Sequence, residues 1–207
     1  MKKAIAIVAF VAAMFISGNV QAQSIVYAGF APETFDTNYT FVTGNTSTST
    51  NYKGFFAGFT QNFRLSQGKV GIGVATGAYF RFNTRSHSEW GKTTKSSQFL
   101  IDVPIPFNFT ININRDYSIT PFFVGPMLSL ALAGNDKVKV GNSTSTNDWY
   151  DNSWMSRFNL YAVFGTGAMI NHFNIYCGYR LGLLDLDSSD NATLKNNGLF
   201  VGIGYTL

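Results

Sequence analysis

The chain has 207 residues and a formal net charge of +4, yet only 13% of its residues are charged while 16% are aromatic. Lys2 and Lys3 supply two of the positive charges, and without them the net charge falls to +2. No basic patch with interleaved aromatics occurs, so nucleic acid is excluded as a partner. Cys177 is the only cysteine, which rules out an internal disulfide, and we interpret it as a small apolar residue.

The first 22 residues have the pattern of a secretory signal peptide. Two lysines precede an apolar run at residues 4–16 that is too short to span a bilayer. Val20-x-Ala22 then forms a small-residue cleavage signal. We therefore predict a signal peptide at 1–22 and a single mature domain at 23–207. An uncleaved membrane anchor is the alternative, but it lacks a stop-transfer pattern.

Eight stretches of the mature chain alternate between apolar residues and small or polar ones, which is the period of a β-strand with one apolar face. In chain order, the predicted strands run from about Ile25 to Phe35, Tyr52 to Leu65, Lys69 to Thr84, Ser97 to Ile111, Tyr117 to Ala133, Ser153 to Ile170, Phe173 to Leu186 and Asn197 to Leu207. Pro32 predicts a bend in the first strand. Pro104 and Pro106 predict a distortion in the fourth, because proline cannot donate a ladder hydrogen bond.

The connections between these strands alternate in length. Polar loops rich in Ser, Thr, Asn and Asp are predicted at 36–51, 85–96, 134–152 and 187–196, and short turns lie between the other strand pairs. Long outer loops, tight periplasmic turns, periplasmic termini and an even strand number are typical of outer-membrane barrels. We therefore predict an all-β fold, an eight-stranded antiparallel up-and-down transmembrane β-barrel in the outer membrane of a Gram-negative bacterium. A secreted β-sandwich would also alternate, but its loops need not alternate in length.

The final stretch at 197–207 resembles the C-terminal assembly signal of bacterial outer-membrane barrels. One face carries large apolar side chains, the other is mostly glycine, and the aromatic Tyr205 is third from the end. The signal usually ends in Phe, whereas this chain ends in Leu207. The resemblance implies that the barrel assembly machinery is a partner during biogenesis.

Four further segments, taken in order, are similar to those of the PorT-like porin group of outer-membrane barrels, which is common in Bacteroidetes. They are Pro121–Pro126 (PFFVGP), Gly178–Leu183 (GYRLGL), Lys195–Asn197 (KNN) and Gly202–Tyr205 (GIGY). The shape is also similar to that of the small OmpX and OmpA barrels. This resemblance covers essentially the whole mature chain and implies an outer-membrane barrel, but it implies no settled biochemical activity.

An eight-stranded barrel is only wide enough for side chains to fill its interior. The inward-facing positions of the predicted strands carry charged and tyrosine side chains, which predict a polar network in the lumen. Its predicted members are Arg64, Arg81, Asp102, Arg157, Arg180, Tyr79, Tyr161 and Tyr176. One interpretation is structural filling, in which arginine donates to carboxylate, tyrosine and backbone oxygens. The alternative is a narrow porin-like channel for small solutes that prefers anions, since arginine outnumbers aspartate.

Aromatic residues near the outer ends of the strands predict an interfacial girdle. Its predicted members are Trp90, Trp149, Tyr150 and Trp154. A rim that binds a ligand is the other interpretation. The polar loops either contact an extracellular or envelope protein partner or are simply hydrated. Outer-membrane lipid and lipopolysaccharide are the remaining expected partners.

We expect no enzyme activity, cofactor or metal site. A hydrolase-like set occurs only in the loops, namely His87, Ser86, Ser88, Asp148 and Asp151. No nucleophile elbow surrounds these residues, and the two histidines have no metal-ligand spacing. The predicted function is a structural or partner-binding barrel with a largely filled lumen. A small-solute channel and a rim-located enzyme are the alternatives.

Overall fold

The computed structural model describes residues 22–41, 44–66, 68–114, 116–151, 155–187 and 192–207. The predicted signal peptide lies outside these residues, apart from Ala22 at the start of the first strand. The described ranges contain no helix that is long and apolar enough to cross a membrane.

Antiparallel strands account for most of the described residues. In chain order they are β1 (Ala22–Phe30), β2 (Glu33–Phe41), β3 (Gly44–Arg64), β4 (Val70–Glu89), β5 (Lys92–Pro104), β6 (Phe107–Asn112), β7 (Tyr117–Val140), β8 (Ser143–Asp148), β9 (Phe158–Ile170), β10 (Phe173–Gly182) and β11 (Ala192–Thr206).

The strands close into a ring of eight positions because β1 pairs with both β3 and β11. The closing register sets Ile25 opposite Thr206 and Phe30 opposite Val201. β1 and β2 share one position in the ring, since both pair with β3 and β11. β5 and β6 likewise share one position between β4 and β7. The prediction of an eight-stranded antiparallel barrel is confirmed, with β8 added beside β7 outside the ring.

Each ring position that is shared by two short strands is interrupted at proline, where the sequence analysis predicted a distortion. Pro32 lies between β1 and β2, while Pro104 and Pro106 flank the break between β5 and β6. At the first break the Ala31 N–H still donates to the Gly54 carbonyl at 2.7 Å. Hydrogen bonding to the neighbouring strand therefore continues across the interruption, and the two short strands act as one.

The two ends of the barrel differ. The terminal end carries the two ends of the described chain, Ala22 and Leu207, and the short turns that join β3 to β4, β6 to β7 and β9 to β10. The opposite end, named the hairpin end, carries the longer excursions. The predicted loops at 36–51, 85–96 and 134–152 are wrong in large part, because β2, β3, β4, β5, β7 and β8 extend through them. The loop predicted at 187–196 is shifted to 183–191, since β10 ends at Gly182 and β11 begins at Ala192.

These extensions form because their residues suit strands as well as loops. The runs are rich in threonine, whose branched Cβ favours extended backbone. The β4–β5 hairpin closes through Trp90 and Gly91, which have φ angles of 51° and 74°. Two successive positive φ angles are those of a two-residue type I′ turn, which matches the twist of paired strands.

The outward face of the ring is apolar and solvent-accessible. Large side chains that are exposed on this face include Phe55, Phe59, Phe80, Phe99, Leu130, Phe164, Leu199 and Ile203. A continuous apolar surface of this kind is what the lipid-facing wall of a barrel presents. The side chains that the alternation predicted to face outward from the ring are therefore the ones that form the apolar wall.

A charge on this wall should destabilise the barrel according to its depth. We expect Phe80→Arg to lower the free energy of unfolding by about 2–4 kcal/mol in phospholipid vesicles, because a cation near the membrane centre loses hydration. Ser145→Arg on the exposed β8 strand is the matched control and should have little effect. Reversible denaturant unfolding followed by fluorescence measures both variants. Equal losses in the two variants would contradict the assignment of the wall to lipid.

Candidate functional site

A buried ion cluster crosses the middle of the lumen. Arg81 on β4 donates from Nε to Oδ2 of Asp102 at 2.6 Å and from Nη2 to Oδ1 at 3.1 Å, so the pair is bidentate. The same guanidinium donates through Nη1 to Oε1 of Glu33 on β2. All three residues are only 1% exposed. The arginine therefore links β4 to its neighbour β5 and to β2, which lies on the far side of β3, through charge-assisted hydrogen bonds.

Arg180 on β10 is the second cation of this ion cluster. Its Nη2 lies 3.6 Å from Oε1 of Glu33, and its Nη1 lies 3.9 Å from Oδ2 of Asp102. Nη2 also donates to the Ala31 carbonyl at 3.2 Å, beside the break between β1 and β2. The ion cluster, defined as Glu33, Arg81, Asp102 and Arg180, thus contains two cations and two carboxylates. Balanced charge is what allows ionised groups to persist in a buried site.

Neutral polar side chains satisfy the remaining acceptors of the cluster. The fully buried Tyr161 donates from its hydroxyl to Oε1 of Glu33 at 3.1 Å. Asn83 donates from Nδ2 to the other Glu33 oxygen and to Oε1 of Gln98 at 3.0 Å. The Ser129 hydroxyl lies 3.3 Å from Nη2 of the bidentate arginine. Six ring positions therefore contribute to one network, through β2, β4, β5, β7, β9 and β10.

A hydrophobic plug fills the lumen between the ion cluster and the hairpin end. It consists of Phe35, Leu100, Ala131, Trp149, Tyr150, Met155, Leu186 and Leu194. Trp149 and Tyr150 follow β8 and are only 4% and 7% exposed, since the chain turns inward after that strand. Gly134 is required beneath them, because an added Cβ would lie 2.8 Å from both rings. The plug closes the mouth of the barrel on this side.

Tyr150 connects the hydrophobic plug to the polar layer below. Its hydroxyl accepts a hydrogen bond from Nε2 of Gln98 at 2.8 Å. Burial raises the pKa of Tyr150, and the hydrogen bond from Gln98 and the positive charge of Arg157 offset only part of that increase. The Arg157 guanidinium lies 4.5 Å from the centre of the Tyr150 ring, in a cation–π arrangement. The Tyr150 hydroxyl is therefore buried against Gln98, while the exposed guanidinium of Arg157 packs over the face of the ring.

A cavity of about 390 Å³ lies on the other side of the ion cluster, toward the terminal end. Asp102 and Arg180 form part of its inner lining, and Gly68 in the β3–β4 turn lies at its outer limit. Tyr27 and Tyr176 line it with an edge-to-face contact, their ring centres 4.7 Å apart. The cavity is therefore a vestibule that ends at the ion cluster rather than a path through the barrel.

The structure places most of the predicted lumen residues inside the barrel but separates them into two groups. Arg81, Asp102, Arg180 and Tyr161 meet in the ion cluster and its polar shell, whereas Tyr79, Tyr176 and Arg64 line the vestibule. Arg64 is exposed at the terminal end, where its Nη2 lies 3.5 Å from Oε1 of Gln23. The placement of Arg157 needs correction: it is exposed and donates to the Leu132 carbonyl at 3.0 Å. It precedes β9, so the inward parity of that strand does not apply to it.

The predicted aromatic girdle also needs correction. Trp149 and Tyr150 are buried in the hydrophobic plug and do not face the lipid. Trp90 is 95% exposed at the tip of the β4–β5 hairpin, because both strands continue well past the apolar wall. Trp154 lies outside the described residues. The predicted set therefore does not lie together as one band around the barrel.

Glu33 is the central residue that the sequence interpretation missed. The prediction counted Asp102 as the only interior acid, which left an excess of arginine. Burial of two arginines with one carboxylate would leave an uncompensated charge, so this imbalance was itself a signal that another acid faces inward. Glu33 shares the inward parity of Ile25 and Tyr27, and the pairing with β3 keeps one register past Pro32, so the alternation of the first predicted strand already pointed to it.

The loop residues considered for catalysis have other partners in the structure. Nε2 of His87 lies 3.3 Å from Oε2 of Glu89, two residues along the exposed end of β4. Hydrogen bonds from His87 and from Trp90 lower the pKa of the Glu89 carboxyl. Oδ1 of Asp148 instead accepts the Tyr150 backbone N–H at 2.7 Å. Within the described ranges, no group of three or more His, Cys, Asp or Glu residues is arranged to hold a metal ion.

The burial of Trp149 in the plug can be tested by fluorescence. The chain has three tryptophans, so the double substitution Trp90→Phe/Trp154→Phe leaves Trp149 alone. We expect blue-shifted emission and an acrylamide quenching constant several-fold below that of the Trp149→Phe/Trp154→Phe variant, which retains only the exposed Trp90. Similar quenching in the two folded variants would show that the plug is open to water.

The match to a known protein family agrees with this architecture. A profile of the outer membrane protein beta-barrel domain family matches residues 21–188. A search of curated proteins found no match. Among solved structures, the chain is similar to Ail, the attachment invasion locus protein of Yersinia pestis, with 15% identity and a TM-score of 0.43 over 90% of this chain and 99% of that chain. It is also similar to the outer membrane protease OmpT from Escherichia coli, with 11% identity and a TM-score of 0.48 over 93% of this chain and 99% of that chain. A third similar structure is Neisserial surface protein A, with 12% identity and a TM-score of 0.39 over 88% of this chain and 97% of that chain. The chain belongs to the outer membrane protein beta-barrel domain family.

Proposed function

We propose that this small outer-membrane barrel has a closed lumen and acts through its surface, as a structural or partner-binding protein. The single observation that carries the proposal is the double obstruction of the interior. The ion cluster and its neutral polar partners link six ring positions across the middle of the lumen, and the hydrophobic plug fills the space above them. Solute would have to displace both layers to pass.

The same layers argue against the porin-like alternative. An anion-preferring path needs cations that are free to meet the solute, but Arg81 is engaged on Asp102 and Glu33. Arg180 is also held beside both acids. Because the charges balance, the excess of arginine on which the channel hypothesis depended is absent from the ion cluster. The rim-enzyme alternative has only the exposed His87–Glu89 contact in its favour.

The proposed orientation puts the hairpin end outside the cell and the terminal end in the periplasm, as is usual for this class of barrel. The polar strands of β2, β3, β4, β5, β7 and β8 would then project into the medium. Such strands form a firmer surface for an extracellular or envelope protein partner than unpaired loops would. The barrel assembly machinery as a partner of β11 and membership of the PorT-like group stay predictions.

Solute flux tests the proposal directly. Liposomes that carry the refolded protein should swell no faster in isotonic arabinose or glycine than protein-free liposomes do, because the lumen is filled. Heat-modifiable gel mobility on the same sample establishes that the barrel is folded, and a general porin serves as the positive control. Swelling clearly above the protein-free rate, from a sample that shifts on heating, would overturn the closed-lumen proposal and favour the channel.

A further inference from the structure

Four strands continue past the apolar wall and form a sheet at the hairpin end. It comprises 84–89 of β4, 92–97 of β5, 135–140 of β7 and all of β8. The registers pair β4 with β5, β5 with β7 and β7 with β8, so side chains of matching parity share one face across the sheet. Its outward face continues the lipid-facing wall, because Lys95 and Phe99 are four residues apart on β5.

Three lysines lie together on this outward face, which we name the lysine face. Lys95 of β5 is directly opposite Lys137 of β7, and Lys139 is two residues further along β7. All three are exposed, and none of them forms an ion pair with another described residue. Asp148 is the one acid that the registers place on the same face, and it is opposite Asn135 at the base of the sheet.

This arrangement is unfavourable for the protein by itself. Like charges directly opposite each other on antiparallel strands repel and destabilise the pair. Replacing one of the two facing lysines with an acidic residue or with threonine would remove the repulsion. The lysine face instead keeps its charge, and a bound polyanion would turn the repulsion into attraction.

The neighbouring positions supply hydroxyl groups rather than competing carboxylates. Ser86 is opposite Lys95 on the β4 side, and Thr146 is opposite Lys137 on the β8 side. Thr93 is opposite Lys139. Ammonium and hydroxyl groups are both hydrogen-bond donors to phosphate oxygens. The face therefore resembles a site for several phosphate groups rather than for a single carboxylate.

The height of the lysine face above the wall selects the source of those phosphates. The contact between Phe82 and Phe99, whose ring centres are 4.6 Å apart, lies at the top of the apolar wall on this side. Lys95 lies four residues before Phe99 in the chain, which puts it about 13 Å closer to the hairpin end along a strand that rises roughly 3.3 Å per residue. A tilted barrel strand of that length reaches the headgroup layer of the adjoining leaflet.

We propose that the lysine face binds the phosphate groups of the outer-leaflet glycolipid, lipopolysaccharide, which would surround the barrel at this level. The inference rests on the proposed function in one respect, since it needs the hairpin end to face outward. It names a site and a ligand chemistry for that surface: Lys95, Lys137 and Lys139 pair with phosphate, and the flanking hydroxyls donate to its oxygens.

Binding of phosphorylated and dephosphorylated glycolipid tests the proposal. The full barrel in detergent micelles is titrated with purified bisphosphorylated lipid A and, separately, with the same lipid after phosphatase treatment. We expect the phosphorylated form to bind at least about ten-fold more tightly, because each lysine near an anionic surface adds attraction. The variant Lys95→Thr/Lys137→Thr/Lys139→Thr should lose that preference.

The matched control removes three other lysines, in Lys69→Thr/Lys92→Thr/Lys195→Thr, and should bind as the wild type does. Both triple variants must keep heat-modifiable mobility, which their exposed polar positions allow. Equal binding of the two lipid forms, or equal loss in both triple variants, would overturn the proposal. So would a soluble sulfated oligosaccharide that binds the lysine face when lipid A does not. Liposome swelling would instead overturn the closed lumen, so failures of the two proposals are distinguishable.

Discussion

The ion pair between Glu33 and Arg81 is the interaction on which the interior of this barrel depends. Without Glu33, the bidentate Arg81–Asp102 pair would share the lumen with an unbalanced Arg180. With it, the charges cancel and each cation has a carboxylate within 4 Å. The pair also joins β2 to β4, the two strands that flank β3, beside the break at Pro32. A buried charge that lacks its partner costs several kcal/mol, so these side chains are strongly held in place.

Because the lumen is filled in layers, the proposed function lies at the surfaces of the barrel. Below the ion cluster is a vestibule of about 390 Å³, and above it is the hydrophobic plug. The plug draws on Trp149 and Tyr150, which come from the chain after β8, so the hairpin-end sheet and the lumen are mechanically connected. The β7–β8 hairpin is thereby anchored at its base while its lysines remain exposed. A rigid base with a charged outer face suits recognition at the membrane surface.

The period-two pattern predicted the ring because lipid exposure demands one apolar face on every strand that crosses the membrane. The same parity placed Arg81, Asp102, Arg180 and Tyr161 inside the barrel. It also holds for Glu33, which keeps the inward parity of β1 past the break at Pro32 although the prediction did not count it, and it misplaced Arg157, which precedes its strand. The hairpin strands resemble loops in the sequence because serine, threonine and charged residues occupy both of their faces, which removes the hydrophobic contrast. Burial of Trp149 results from tertiary folding and has no local signal.

The most direct test of this account is a double-mutant cycle between Glu33 and Arg81, measured by reversible unfolding in phospholipid vesicles. Glu33→Gln and Arg81→Met should each cost about 3–5 kcal/mol, because each leaves an uncompensated buried charge. Their combination restores charge balance and should cost about 1–3 kcal/mol less than the sum of the single losses. The exposed Arg64–Gln23 contact is the control and should show little coupling. Additive losses in the Glu33–Arg81 cycle would contradict the account, since the two residues would then stabilise the barrel independently.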